Sequence, residues 1–330
     1  MITFDQIDFV GTDLHRPECV LCTSDQVLHV ADWRGGVTLI FPDGRQHSVL
    51  AAGTFKPKPN GIAILPDGGW LLAHLGEDDG GVYRLDPDGT LTPVLRDVGG
   101  LPLPPTNYVH VDGDGRIWVT VSTRRKPRAL GYRADCDDGF VVLIDGLDAR
   151  IVADGLGYTN ECLIHPETGQ LYVNETFARR LTRFDLGKKG SSTNKTVVAE
   201  FGHGTYPDGL TFDADGGIWI TSIVSNRVIR VGRDGQQQII LQDAAPDALE
   251  RVETAYHAGE MGRPHLAKTF GSKLKNISSA AFGGDDLKTV YLGCLLGREI
   301  ATFRSDIPGL RPYHWDWLAS SRIENFKVPT

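Results

Sequence analysis

The chain has 330 residues, 23% charged and 41% hydrophobic, an ordinary water-soluble composition with length enough for a large core. Its 34 Lys and Arg against 42 Asp and Glu leave a formal charge of −8, and no basic run is long enough to follow a phosphate backbone, which argues against nucleic-acid binding. No apolar run approaches the roughly 18 residues of a spanning helix, and the N-terminal Met-Ile-Thr-Phe-Asp-Gln has no basic stretch leading into an apolar one, so the expectation is a cytoplasmic protein with no membrane partner.

In chain order, the first informative segment is His-Arg-Pro-Glu-Cys, which places Glu18 four residues before Cys22. The same arrangement returns at Asn60 before Ile64, Asn107 before Val111, Asn160 before Ile164, Asp208 before Phe212 and Ser278 before Phe282. Each polar slot opens a short strand, a turn, a second strand and a third strand ending in another turn. In the second unit these read Gly61-Ile-Ala-Ile-Leu, Pro66-Asp-Gly-Gly, Trp70-Leu-Leu-Ala-His and Gly81-Val-Tyr-Arg-Leu. In the fifth they read Gly209-Leu-Thr-Phe, Asp213-Ala-Asp-Gly-Gly, Ile218-Trp-Ile-Thr-Ser and Arg227-Val-Ile-Arg-Val. Asp-Gly between short β-rich runs marks tight turns, because both residues tolerate positive φ.

The slots are 42, 47, 53, 48 and 70 residues apart. Four short strands repeating at a period of about 45 predict propeller blades. The fold expected is all-β, a six-bladed β-propeller forming a single domain over residues 1–330. The long last interval holds an insertion over about 243–272, where Pro246 and Asp247 open a helix with Leu249, Val252 and Tyr256 on one face and Gly259 as its stop. It is read as a packing element on the rim rather than a lid. Ile2 to Val10 is a candidate outer strand closing the ring, and the remainder after Pro308, with His314-Trp315-Asp316-Trp317, a candidate to complete the last blade or cover an edge.

The five cysteines are scattered, and Cys19 and Cys22, three apart on a strand, face opposite sides. Reduced thiols are the reading that follows. Trp70, Trp118 and Trp219 recur on second strands and are assigned to the core.

If six units close into a ring, the six polar slots converge on its axis. Second strands return to the same face, bringing Trp33, His74, Ser122 to Arg125, Glu175 to Phe177 and Ser222 to Asn226 toward it. Glu18 and Asp208 supply two charges, and Asn107 and Asn160 neutral carbonyl oxygens. Such an all-oxygen set favours Ca2+, Mg2+ or Mn2+ over a thiolate-seeking metal. Asp and Asn before Gly are also ordinary turn residues, so the weight lies in the register of all six.

These residues together resemble the regucalcin/gluconolactonase superfamily: the Pro-Glu before the first strand, the two Thr-Asn sites, Tyr-Pro-Asp-Gly in the fifth unit and Ser-Ser-Ala-Ala-Phe-Gly-Gly-Asp-Asp-Leu in the sixth. The resemblance spans about residues 10 to 305. It implies one catalytic divalent cation, Ca2+ before Mg2+, Mn2+ or Zn2+, on Glu18, Asn107, Asn160 and Asp208, and hydrolysis of a small-molecule lactone. Three departures alter the expected sugar contacts. Pro105 and Tyr108 stand where many members have Arg and Asp, Glu161 follows the second ligand Asn in place of Gly, and Arg125 stands near an expected Glu.

Arg124 and Arg125, followed by Lys126 and Arg128, are candidates to hold a substrate carboxylate, with a solvated basic loop as the equal alternative. Tyr108, Glu161 and Asn60 complete the substrate-binding candidates. The implied mechanism opens a cyclic ester by water attack on a cation-polarised carbonyl, with Asp208 as ligand and base. A coordinated carboxylate is a weak base, which keeps water activated by the cation as an alternative and Glu161 and Glu175 as further candidates. His74 and His110 read better as packed histidines. Competing readings are a phosphotriesterase-like or other ester hydrolase, a non-catalytic metal or ligand binder, and an interaction propeller. Oligomeric state is left open.

Overall fold

Short β-rich runs separated by Asp-Gly turns pair with their neighbours in sequence, and here they do so six times. The structure, a computed structural model, describes residues 1–267 and 271–317. Six four-stranded antiparallel sheets follow one another along the chain. Their innermost strands are Val20–Cys22, Pro59–Ile64, Thr106–Val111, Thr159–Ile164, Thr205–Phe212 and Ile277–Gly283. Neighbouring blades touch around the whole circle, and the first innermost strand meets the last. The molecule is a six-bladed β-propeller.

Ring closure uses the N-terminal segment. Strand Asp8–Val10 pairs antiparallel with Ile300–Arg304, setting Phe9 against Ala301, and becomes the outer strand of blade six. An unpaired sheet edge is thereby covered.

The recurring tryptophans are fully buried, and their indole N–H groups find fixed partners. Trp118 Nε1 donates to Asp112 Oδ2 at 2.8 Å, and Trp219 Nε1 to Asp213 Oδ2 at 2.8 Å. The opposite oxygen of each aspartate accepts backbone N–H groups of its own turn, from Asp114 and Arg116 or from Asp215 and Gly217. One carboxylate therefore shapes the turn and satisfies a buried donor that would otherwise cost free energy.

The insertion carries two helices, α1 (Pro246–His257) and α2 (Arg263–Leu266). Leu249, Val252, Glu253 and Tyr256 form the buried face of α1. Ala245 is the N-cap, with no side-chain bond, and Asp247 lies in the first turn, where its charge favours the positive end of the helix. Gly259, at φ +70, ends the element. No helix among the described residues is long and apolar enough to cross a membrane.

Residues 309–317 run across one end of the tunnel. Leu310 N donates to Phe212 O, and Ser24 N to Trp315 O. Together with the six apolar positions Cys22, Ile64, Val111, Ile164, Phe212 and Phe282, this segment encloses a chamber of about 70 Å3. The segment expected to complete the last blade or cover an edge instead lines this chamber.

Candidate active site

At the other end of the tunnel the polar slots sit on irregular strands. In five blades the register of the innermost strand slips at the slot: between Pro59 and Ile62, Thr106 and Tyr108, Thr159 and Cys162, Pro207 and Leu210, and Ile277 and Ser279. A β-bulge bends its strand and re-aims a side chain, and here the re-aimed groups are Asn60, Asn107, Asn160, Asp208 and Ser278.

The glycines after Asn60 and Asp208 have a packing reason rather than a turn reason. A Cβ on Gly209 would stand 2.4 Å from Ser278 O and 2.5 Å from Ser279 Cα, and one on Gly61 would stand 2.4 Å from Tyr108 Cδ2. Only a bare Cα lets the next blade approach this closely. Gly209→Ala is expected to cost about 1 to 3 kcal/mol and to reduce turnover by displacing Asp208. Paired denaturation and activity measurements check this, and a silent substitution would overturn the packing account.

Glu18, Asn60, Asn107, Asn160 and Asp208 form the base of a cavity of about 210 Å3. All five are buried. Asn160 turns its NH2 to Thr176 Oγ1 at 3.0 Å, and its Oδ1 has no partner. Asn60 Oδ1 and Asn107 Oδ1 are equally without one. Buried acceptors are rarely left unpaired, and three facing one cavity is a departure that asks for a ligand. Burial, and then the charge of Glu18, push the Asp208 carboxyl well above its ordinary range. Burial likewise raises Glu18, against the pull of Arg16 and Arg128. The sixth slot is spent internally, since Ser278 Oγ donates to Glu18 O at 2.8 Å.

This donor set fits a hard divalent cation, which would partner the amide oxygens and compensate both carboxylates. Among the described residues no group of three or more His, Cys, Asp or Glu side chains is suited to hold a metal ion. Any cation site here therefore depends on amide oxygens as well as acids.

The remaining expected residues separate. Trp33 and Phe177 line the cavity. Tyr108 and Glu161 line the other chamber, where Glu161 Oε2 accepts Leu210 N at 2.9 Å. Arg124 and Arg125 line neither compartment. Arg124 is held by Asp154 at 2.8 and 2.9 Å and stacks over Phe140, while Arg125 Nε lies 3.1 Å from Cys136 Sγ. The cation of that loop that reaches the cavity is Arg128. Glu175 is fully buried against Arg180 and Gly157 N. His74 Nδ1 accepts Lys58 N at 2.9 Å, and burial lowers the His110 imidazole to about 4.

Arg16, Tyr132, Tyr158 and Arg263 were not anticipated, and all four line the cavity. Arg16 had a readable signal, two residues before Glu18. Tyr132 ends a short 3-10 turn and Arg263 opens a four-residue helix, and no periodicity reports the placement of either.

The fold and this cavity define a six-bladed propeller with a buried, oxygen-lined axial site. A model of the SMP-30/gluconolactonase/LRE-like region matches residues 16–244, and the chain belongs to that family. It is 27% identical over 286 residues to the 6-deoxy-6-sulfogluconolactonase of Pseudomonas putida, a match covering 83% of this chain and 81% of that protein. Among solved structures it is similar to a gluconolactonase from Xanthomonas campestris, with TM-score 0.66 and 18% identity over 92% of this chain and 89% of that one. It is also similar to regucalcin from Agrobacterium tumefaciens, a calcium-binding protein, with TM-score 0.65 and 16% identity over 92% and 96%.

Proposed function

We propose that this protein is a divalent-cation-dependent lactonase that opens a small-molecule cyclic ester to its hydroxy acid. The observation that carries the proposal is the set of three unpartnered amide oxygens beside two buried carboxylates in one cavity. The family, and the lactone-hydrolysing names of the relatives, support the same reading.

Glu18, Asn107, Asn160 and Asp208 would hold the cation, Ca2+ before Mg2+, Mn2+ or Zn2+, and Asn60 would contact substrate. When bound, the cation supplies Lewis-acid polarisation of the ester carbonyl. Asp208 orients the attacking water and accepts its proton at a carboxylate oxygen. A bond forms between that water and the carbonyl carbon, the ring C–O bond breaks, and the proton ends on the departing hydroxyl. Trp33, Tyr132, Tyr158 and Phe177 give the lactone an aromatic wall that excludes bulk water.

The test is acid release from a panel of lactones, with a phosphotriester included, by protein stripped with chelator and resupplied with each cation. Cation-restored lactone hydrolysis is expected. Phosphotriester turnover alone would move the assignment to the alternative hydrolase. Cation binding without any turnover would leave a binding protein.

A further inference from the structure

We infer that the lactone taken by this site carries a second, permanently anionic group, a carboxylate, sulfonate or phosphate, engaged by Arg128 and Arg263. The inference rests on the lactonase reading and adds the substrate's charge to it.

The first argument is charge balance. Three guanidiniums, Arg16, Arg128 and Arg263, line the cavity against two carboxylates, Glu18 and Asp208. A dication would compensate the two acids and leave the arginines in excess, inside a protein whose net charge is −8. A cavity lined by one sign of charge draws in the opposite sign.

The second is partnership. Arg16 is spoken for: its guanidinium reaches Glu18 Oε2 at 3.3 Å and lies 4.2 Å over the Trp33 ring. The other two have no such role. Arg128 is half-buried, its Nε is enclosed without a hydrogen-bond partner, and among the described residues it forms no ion pair, its charge acting on Glu18 only at a distance. Arg263 makes no ion pair among the described residues. Buried acids elsewhere hold an arginine each, as Asp32 holds Arg34, Asp112 Arg116, Glu175 Arg180 and Asp213 Arg230.

The third is anchoring. Arg128 opens the short 3-10 turn Arg128–Gly131. Arg263 opens α2, whose Leu266 carbonyl accepts a bond from Asn276 Nδ2 at 2.9 Å. Guanidiniums on fixed backbone recognise oxyanions with planar, paired donors.

The experiment compares a neutral aldonolactone with the same lactone bearing a terminal carboxylate, sulfonate or phosphate, on wild type, Arg128→Gln and Arg263→Ala. Calorimetric binding of the matching open-chain acids is measured alongside and needs no turnover. One anionic lactone is expected to be preferred in kcat/KM by about a hundredfold or more. Each variant should reduce that preference about 10- to 100-fold, through KM more than kcat, in line with the loss of one charge-assisted bond. Hydrolysis of neutral lactones with no anionic preference, unchanged in both variants, would overturn the inference and leave the lactonase reading standing. If no lactone is turned over, that reading falls and calorimetry decides. Terminally anionic acids that bind wild type and are lost by the variants support anion recognition, and equal or absent binding rejects it.

Discussion

Replacing Asp208 with Asn is expected to abolish turnover while making the cation-free protein more stable. Turnover should fall about a thousandfold or more, the scale of several kcal/mol of lost charge stabilisation in the transition state. The stability effect has the opposite direction because burial, reinforced by the charge of Glu18, raises the Asp208 carboxyl in the folded chain. A raised acid binds more protons folded than unfolded, so its contribution is complete below the unfolded value near 4 and declines as pH rises toward the folded one. Melting curves of chelated wild type should therefore shift downward as pH rises from about 4, and added Ca2+ should remove most of that slope. Asp208→Asn should flatten the slope without cation and shrink the shift Ca2+ produces. A variant that keeps turnover and the full Ca2+ shift would remove Asp208 from the site.

The second large effect is expected at the clasp of the insertion. Arg179, at φ +51, lies between the Tyr206 and Tyr256 rings, 4.4 and 3.8 Å from their centroids. It donates to both Glu253 oxygens at 3.0 and 2.5 Å and to Tyr206 OH at 2.6 Å. Glu253 Oε1 also accepts Tyr206 OH at 2.7 Å and Gly204 N at 3.1 Å, joining α1 to blade five. The two side chains are only 9% and 3% exposed. Breaking such a pair from one side strands a buried charge and costs about 3 to 5 kcal/mol, whereas replacing both partners with apolar residues is far milder. Glu253→Gln should lower the melting temperature by several degrees and raise KM by loosening the segment that carries Arg263. Arg179→Leu combined with Glu253→Leu should recover most of the stability. Burial alone would raise Glu253, but Arg179 and Tyr206 outweigh it and hold it below its ordinary range. A lowered acid stabilises above its unfolded value and loses that contribution as pH falls. The acid-side decline below about 4 should thus weaken in Glu253→Gln, and equal losses in the single and double variants would reject the clasp.

The repeat was legible because propeller blades reuse one pattern, and six slots in register point to a ring even when each alone resembles a turn. The α1 face was legible for the same reason, since Leu249, Val252 and Tyr256 follow helical spacing. What escaped the sequence follows from irregular backbone. Alternation places neighbours on opposite faces of a strand, but the bulges at Asn107 and Asn160 send adjacent residues to two compartments. Asn107 and Asn160 line the cavity, and Tyr108 and Glu161 the other chamber. Arg124 read as an unattached basic residue because its partner Asp154 lies 30 positions away. Arg263 sits in a four-residue helix of an insertion that no repeat describes.

The pairing of Phe9 with Ala301 also dictates when the protein can be finished. During synthesis Asp8–Val10 emerges ahead of all six innermost strands yet pairs only with Ile300–Arg304. At roughly 5 to 20 residues per second it waits on the order of tens of seconds for Ile300–Arg304 to leave the ribosome. Four-stranded sheets can assemble successively along the nascent chain, yet the axial cavity needs Glu18 from the first blade and Asp208 from the fifth in one circle. Loading of the proposed cation would therefore be a late event in the life of the chain, and a product interrupted after the fifth sheet would carry an open seam.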